Sequence, residues 1–184
     1  MKTIILVTGL PGSGKTAVSS YIREARIPVF IMGDIIREEI RKRGLEFNNR
    51  NSELVAVQLR KEQGTDFVAK KMGEKINAVD DAVVCVDGAR EISEAEYLSK
   101  FGKLVLLVVK SPDRIRYQRL VEAGGYKKPR NYEEFLWRSE QESGRGMGEL
   151  VGTDKYDRRV IENDGSLDEL KEKVKKILKE IINK

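Results

Sequence analysis

The chain has 184 residues, 40% of them hydrophobic and 35% charged, which suits one buried core under a heavily ionised surface. Its 35 basic and 30 acidic residues leave a net charge of +5, a mixed surface and not a polycationic one. The single cysteine excludes an internal disulfide and a cysteine zinc cluster, and the absence of histidine excludes imidazole metal sites and serine-histidine hydrolase chemistry.

No apolar run approaches the roughly 18 residues of a membrane span. Met1-Lys2 leads straight into a strand-like run and not into a signal peptide, so a cytoplasmic protein is expected. Thr3 to Thr8 is β-branched and apolar and stops at glycine, the pattern of a strand buried on both faces. Thr16 to Arg23 reads as a helix, Pro28 to Met32 as a second strand, and Asp34 to Ile40 as a helix with Ile35, Ile36 and Ile40 on one side. Asn48 to Asn51 is a polar break. Ser52 is then placed to cap a helix in which Leu54, Val57 and Leu59 read as core positions.

Ala82 to Val86 is a third strand ending in Asp87-Gly88, with Ser93 as the expected cap of the following helix. Leu104 to Val109 is a fourth buried strand, and Ser111-Pro112-Asp113 opens the next helix with proline at its first position. A turn-rich basic stretch from Gly124 to Asn131 precedes a helix from Tyr132 to Glu142. Arg159 to Ile161 is a short last strand. Leu167, Leu170, Val174, Ile177, Leu178 and Ile181 then recur at helical spacing in an amphipathic C-terminal helix.

This alternation specifies an α/β fold: a five-stranded parallel sheet with right-handed crossovers and helices on both faces. Ligands of such sheets bind beyond the carboxyl ends of the strands, where Gly9, Gly33-Asp34, Asp87 and Ser111 all fall. Gly9, Leu10, Pro11, Gly12, Ser13, Gly14, Lys15 and Thr16 complete the pattern Gly-x-x-x-x-Gly-Lys-Thr of a phosphate-binding loop. Its glycines let successive backbone N–H groups turn toward phosphate oxygens, and the next helix adds its positive N-terminus. Lys15 is positioned for the β- and γ-phosphates of ATP, and the Thr16 hydroxyl for Mg²⁺. The chain lacks the Asn-Lys-x-Asp motif by which a GTPase reads its base, and strand three ends in a single acid.

The segments beyond the loop resemble the nucleoside monophosphate kinases. Met32-Gly33-Asp34-Ile35-Ile36-Arg37 looks like the adenylate kinase stretch in which a Gly-Asp pair opens the acceptor-binding helix. Val86-Asp87-Gly88-Ala89-Arg90 looks like their Asp-Gly-Phe-Pro-Arg segment without its Phe-Pro pair. The resemblance implies that Arg37 and Arg90 clamp an acceptor phosphate and that Asp87 holds Mg²⁺ through water; guanidinium forks suit a phosphate. Arg60, on the inserted helix where such acceptor sites are built, is a further candidate contact. Asp34 becomes the base if the acceptor presents a hydroxyl.

The later half is similar to dephospho-coenzyme A kinases in Val109-Lys110-Ser111-Pro112-Asp113-Arg114, followed by Arg116 and Arg119. Ile161-Glu162-Asn163-Asp164-Gly165-Ser166-Leu167 matches the turn that there backs onto the donor adenine, and reads equally as plain turn chemistry. Over its whole length the chain looks most like the small archaeal adenylate-kinase-related proteins. The implied plan is one P-loop kinase domain, 1–184, with a helical acceptor-binding insertion at about 33–78 and a short lid at about 121–147.

Arg119, Arg138 and Arg145 are the lid candidates, with Arg138 ahead of Arg145, which lies between Gly144 and Gly146 at a hinge. Lys127, Lys128 and Arg130 read as a solvated charge run. Tyr132 and Trp137 suit either base stacking or lid packing, and Cys85 a small buried hydrophobe. The expected function is ATP- and Mg²⁺-dependent phosphoryl transfer to a nucleotide-like acceptor: AMP, another nucleoside monophosphate, or dephospho-coenzyme A. The alternative is an ATP-binding regulatory protein or ATPase acting with RNA or the ribosome.

Overall fold

Five strands form one all-parallel sheet: β1 (Thr3–Thr8), β2 (Val29–Ile31), β3 (Val83–Asp87), β4 (Lys103–Lys110) and β5 (Asp157–Glu162), in the order β2-β3-β1-β4-β5. The computed structural model describes residues 1–64, 66–125 and 128–182, with Asn49 and Arg145 by backbone only. The central strands are continuous apolar runs because helices cover both of their faces. Side chains alternate between two cores. Ile4, Leu6, Val84, Val86, Leu104, Leu106 and Val108 pack under α2 (Met32–Lys42), α3 (Asn49–Gln63), α4 (Phe67–Asn77) and α5 (Ile92–Leu98). Ile5, Val7, Cys85, Val105, Leu107 and Val109 face α1 (Lys15–Glu24) and α9 (Leu167–Ile182). Cys85 is fully buried, and that burial pushes its thiol pKa well up, so it behaves as core.

Between β4 and β5 the chain runs through α6 (Asp113–Ala123), α7 (Tyr132–Glu142), a π-helical turn (Ser143–Met147) and α8 (Gly148–Gly152). Among the described residues no helix is long and apolar enough to cross a membrane.

Four local expectations are corrected. Asn48, not Ser52, caps α3: its backbone is extended and its side chain accepts from the Asn51 N–H at 2.9 Å, so the polar break itself starts the helix. Glu91, not Ser93, caps α5, because Glu91 and Glu94 form a reciprocal capping box that starts the helix earlier. Pro112 is the cap residue of α6 with extended ψ, and Asp113 holds the first helical position. On α3, Leu54 and Val57 are 52% and 55% exposed, whereas Val55 and Leu59 are each 1% exposed. The inward face follows the four-residue spacing of Val55 and Leu59, since the helix packs against α2 and α4. Leu59→Ala should therefore cost about 2–5 kcal/mol, and Leu54→Ala should stay within about 0.5 kcal/mol, both measured by urea unfolding.

Candidate active site at the carboxyl ends of the strands

The register gathers the polar loops on one edge. Val7 pairs with Asp87 and Ile31 pairs with Asp87, so the chain leaves β1, β2 and β3 side by side. The Gly88 N–H donates to the Val7 carbonyl at 3.1 Å, and the Thr8 hydroxyl donates to the Ala89 carbonyl at 2.9 Å. On the other flank Lys110 pairs with Glu162, which sets Ser111 beside Asn163.

Gly9 to Thr16 joins β1 to α1 as a wrapped loop. Gly12 has φ +80° and Gly14 φ +101°, a region that L side chains rarely adopt, and Gly14 serves as the N-cap of α1. Lys15 Nζ donates to the Gly9 carbonyl at 2.6 Å and to the Leu10 carbonyl at 3.2 Å, so its ammonium lies across the loop. Thr16 is exposed in the first turn of α1. Asn163 is 4% exposed and bridges the neighbouring elements: its Nδ2 donates to the Ser13 carbonyl at 2.8 Å and its Oδ1 accepts from Arg119 at 3.3 Å. The Ser111 hydroxyl and Arg119 Nη1 both donate to the Asn163 carbonyl, at 2.6 and 3.3 Å.

On the opposite flank Asp87 is buried and accepts from the Ser19 hydroxyl of α1 at 2.8 Å. Gly88, with φ +101°, turns the chain beside Met32 at the start of α2. Arg37 on α2 pairs with Asp34 and lies 5.7 Å from the centre of the Phe47 ring. Arg90 pairs with Glu142 at 3.2 Å, joining the loop after β3 to the end of α7. Arg60 reaches Glu91 at 4.0 Å. The five acceptor-side candidates thus fall on one rim in two groups: Asp34 with Arg37, and Asp87, Arg90 and Arg60 along the β3 loop.

Glu94 supports that loop from beneath, accepting from the Arg90 N–H at 2.8 Å and the Glu91 N–H at 3.2 Å. Burial is the main cause that raises its carboxyl pKa, with the two N–H bonds opposing. Between the ordinary carboxylate value and the raised one, the folded chain binds the proton more tightly than the unfolded chain. Stability is therefore lost as pH rises through that window. Glu94→Gln keeps an amide oxygen for both N–H groups and removes the buried charge. It should match or exceed the parent by up to about 1 kcal/mol at neutral pH, an advantage that shrinks on acidification in chemical unfolding.

The lid candidates are separated. Arg119 is held against Ser111 and Asn163 beside the phosphate loop. Arg138 pairs within α7 to Glu134 at 2.6 Å and is not drawn to the loop. The Arg145 side chain and Lys127 lie outside the described residues. Arg130 is exposed and pairs with Glu134. Tyr132 packs between α6 and α7: it stacks with Phe135 at 5.6 Å, meets Tyr117 edge-on at 5.2 Å, and has Arg114 over its ring at 4.5 Å. Trp137 is 62% exposed on the outer face of α7.

Three residues of the site were not read from sequence as part of it: Thr8, Ser19 and Arg116. Arg116 is 2% exposed and donates to the Pro11 carbonyl at 3.0 Å, Asp113 at 2.8 Å and Ser139 at 3.2 Å, with its guanidinium 4.8 Å from the centre of the Phe135 ring. In sequence it is one of three arginines on a charged helix, and its separation of 105 residues from Pro11 hides the contact. Ser19 had a weak signal, a small polar residue one turn after Lys15 on an otherwise core-facing side of α1.

A family model described as an AAA domain matches residues 5–142. A UPF0200 protein of Hyperthermus butylicus is 39% identical over 177 residues, covering 96% of this chain and 94% of that protein. Among solved structures, a Thermus thermophilus protein superposes with a TM-score of 0.67 at 23% identity over 97% of each chain. Shikimate kinase from Acinetobacter baumannii, solved with shikimate, superposes at 0.56 and 20% identity over 100% of this chain and 94% of its own. The chain belongs to the UPF0200 family and carries an AAA domain on a P-loop fold of the kinase type.

Proposed function

We propose that this protein transfers the γ-phosphoryl group of ATP, in a Mg²⁺-dependent reaction, to a small nucleotide-like acceptor such as a nucleoside monophosphate or dephospho-coenzyme A. One observation carries the reading: the phosphate loop shares its sheet edge with two arginines, Arg37 and Arg90, whose guanidinium groups are each held by a carboxylate. A carboxylate offers a guanidinium fork the same oxygen pair that a phosphate does. An acceptor phosphate therefore takes the place of Asp34 and Glu142 as partner. In this reading α2 to α4 form the acceptor insertion, and the segment at about 121–147, from the end of α6 through α7 and the π-helical turn, forms the lid.

The acceptor oxygen forms a bond to the γ-phosphorus, the bond from that phosphorus to the bridging oxygen of ADP breaks, and ADP leaves with the electron pair. Lys15 neutralises charge on the β- and γ-oxygens, and Arg119 and Arg138 do so from the lid side when α7 closes. A phosphate acceptor is already ionised; a hydroxyl acceptor gives its proton to Asp34.

The residues at hand fit Mg²⁺. Thr16 offers an exposed hydroxyl, Asp87 a buried carboxylate oriented by Ser19, and no cluster of three acidic, cysteine or histidine side chains occurs among the described residues. Such a sparse set suits a hard cation held mainly by phosphates and water. When bound, Mg²⁺ neutralises charge between the phosphates and orients them.

The test is transfer from γ-labelled ATP to a panel of AMP, CMP, UMP, dephospho-coenzyme A and nucleosides. One acceptor class should be labelled with stoichiometric ADP. Slow hydrolysis that no acceptor accelerates overturns the kinase reading, and hydrolysis accelerated by ribosomal RNA replaces it with a regulatory ATPase.

A further inference from the structure

Two carbonyls of the phosphate loop are held from outside it. The Pro11 carbonyl accepts from the buried guanidinium of Arg116 at 3.0 Å, and the Ser13 carbonyl accepts from the buried amide of Asn163 at 2.8 Å. All peptide bonds described here are trans. In a planar trans peptide the C=O and the following N–H point in opposite directions. A carbonyl pinned outward therefore aims the next N–H inward. The next N–H groups are those of Gly12 and Gly14, the two loop glycines with φ +80° and +101°.

Both holding groups are themselves fixed. Arg116 is tied by Asp113, Ser139 and the Phe135 ring, and Asn163 by Arg119 through its Oδ1. The Asn163 backbone N–H also donates to the Lys110 carbonyl at 2.7 Å. The loop sits directly on these two residues. A Cβ at Gly12 would come within 2.6 Å of the Arg116 carbonyl oxygen, and a Cβ at Gly14 would collide with Asn163 Nδ2. Burying a guanidinium is costly unless its donors are used, and here one of them is spent on a loop carbonyl.

We infer that Arg116 and Asn163 are positioning residues that aim the Gly12 and Gly14 N–H groups at the phosphates. The inference rests on the reading that this loop takes a triphosphate. It assigns Asn163 a role through the loop backbone, since both ends of its amide are engaged by Ser13 and Arg119. It also gives the lid helix a link to the loop, because Ser139 and Phe135 belong to α7. A set of N–H groups aimed in advance binds an anion without first turning peptide planes.

The experiment measures pyrophosphate affinity by calorimetry and the ¹H–¹⁵N resonances of the full chain. The variants are Arg116→Met, Arg116→Lys, Asn163→Asp and the uncharged Asn163→Ala. Arg116→Met should displace the Gly12 amide resonance far more than that of Gly14, and both Asn163 variants should do the reverse. Pyrophosphate should bind about tenfold more weakly to Arg116→Met and to each Asn163 variant. Arg116→Lys, whose ammonium can still donate to Pro11, should recover the Gly12 resonance and most of the affinity. Wild-type affinity with unmoved Gly12 and Gly14 resonances overturns the inference. So does a diffuse change across the chain, in Arg116→Lys and Asn163→Ala alike, without a localised effect at the two glycines. If the wild-type chain binds neither pyrophosphate nor ATP, the donor-site reading fails first, and the two resonances still decide whether the peptide planes are held as inferred.

Discussion

Lys15→Met should leave a folded protein that transfers phosphoryl groups about a thousandfold more slowly than the parent. Methionine keeps most of the apolar stem and removes only the charge and its donors. Those donors now reach the Gly9 and Leu10 carbonyls, 2.6 and 3.2 Å away, so the ammonium sits within the loop and not at its margin. Charge that develops on the transferred group meets this ammonium beside the half-buried walls of the loop, where electrostatic stabilisation is less screened than in water. The same exchange should change thermal stability little, because Lys15 belongs to neither core cluster. Parallel measurement of initial rates and melting temperature checks both halves. A variant that keeps the parental rate shows that the loop is not the donor site.

Asp87→Asn should lower turnover about a hundredfold and demand more Mg²⁺ for half-maximal rate. The amide oxygen can still accept from the Ser19 hydroxyl that now holds the carboxylate at 2.8 Å, so the side chain keeps its place while its charge is lost. Asp87 ends β3 between β1 and β2, its neighbours in the register, and removing its side chain altogether would mix a packing defect with the electrostatic one. The Mg²⁺ titration separates the two causes. A rate that falls without any change in the Mg²⁺ requirement assigns Asp87 to positioning α1 and not to the cation.

The sequence by itself determined the sheet and the glycine-rich loop pattern from Gly9 to Thr16. A buried parallel strand is a run of β-branched residues, and a phosphate loop is a spacing of glycines before a helix; both are set by neighbours within a few positions. The same locality explains the corrections. Asn48 and Ser52, or Glu91 and Ser93, are competing caps within one short stretch, and the choice depends on which backbone can be extended there. The outward turn of Leu54 and Val57 was decided by what α3 packs against, which spacing within the helix does not encode.

Only the tertiary structure decided what the polar residues do. Arg116 meets Pro11 across 105 residues and Asn163 meets Ser13 across 150, contacts that exist because β4 lies beside β1 and β5 beside β4 in the sheet order. It also decided that Arg90 answers to Glu142 while Arg138 stays with Glu134 on its own helix. An arginine has the same composition whether it is solvated, paired or buried. Its environment is assembled from distant segments, and long-range packing alone makes one of three arginines on α6 a buried support for the loop.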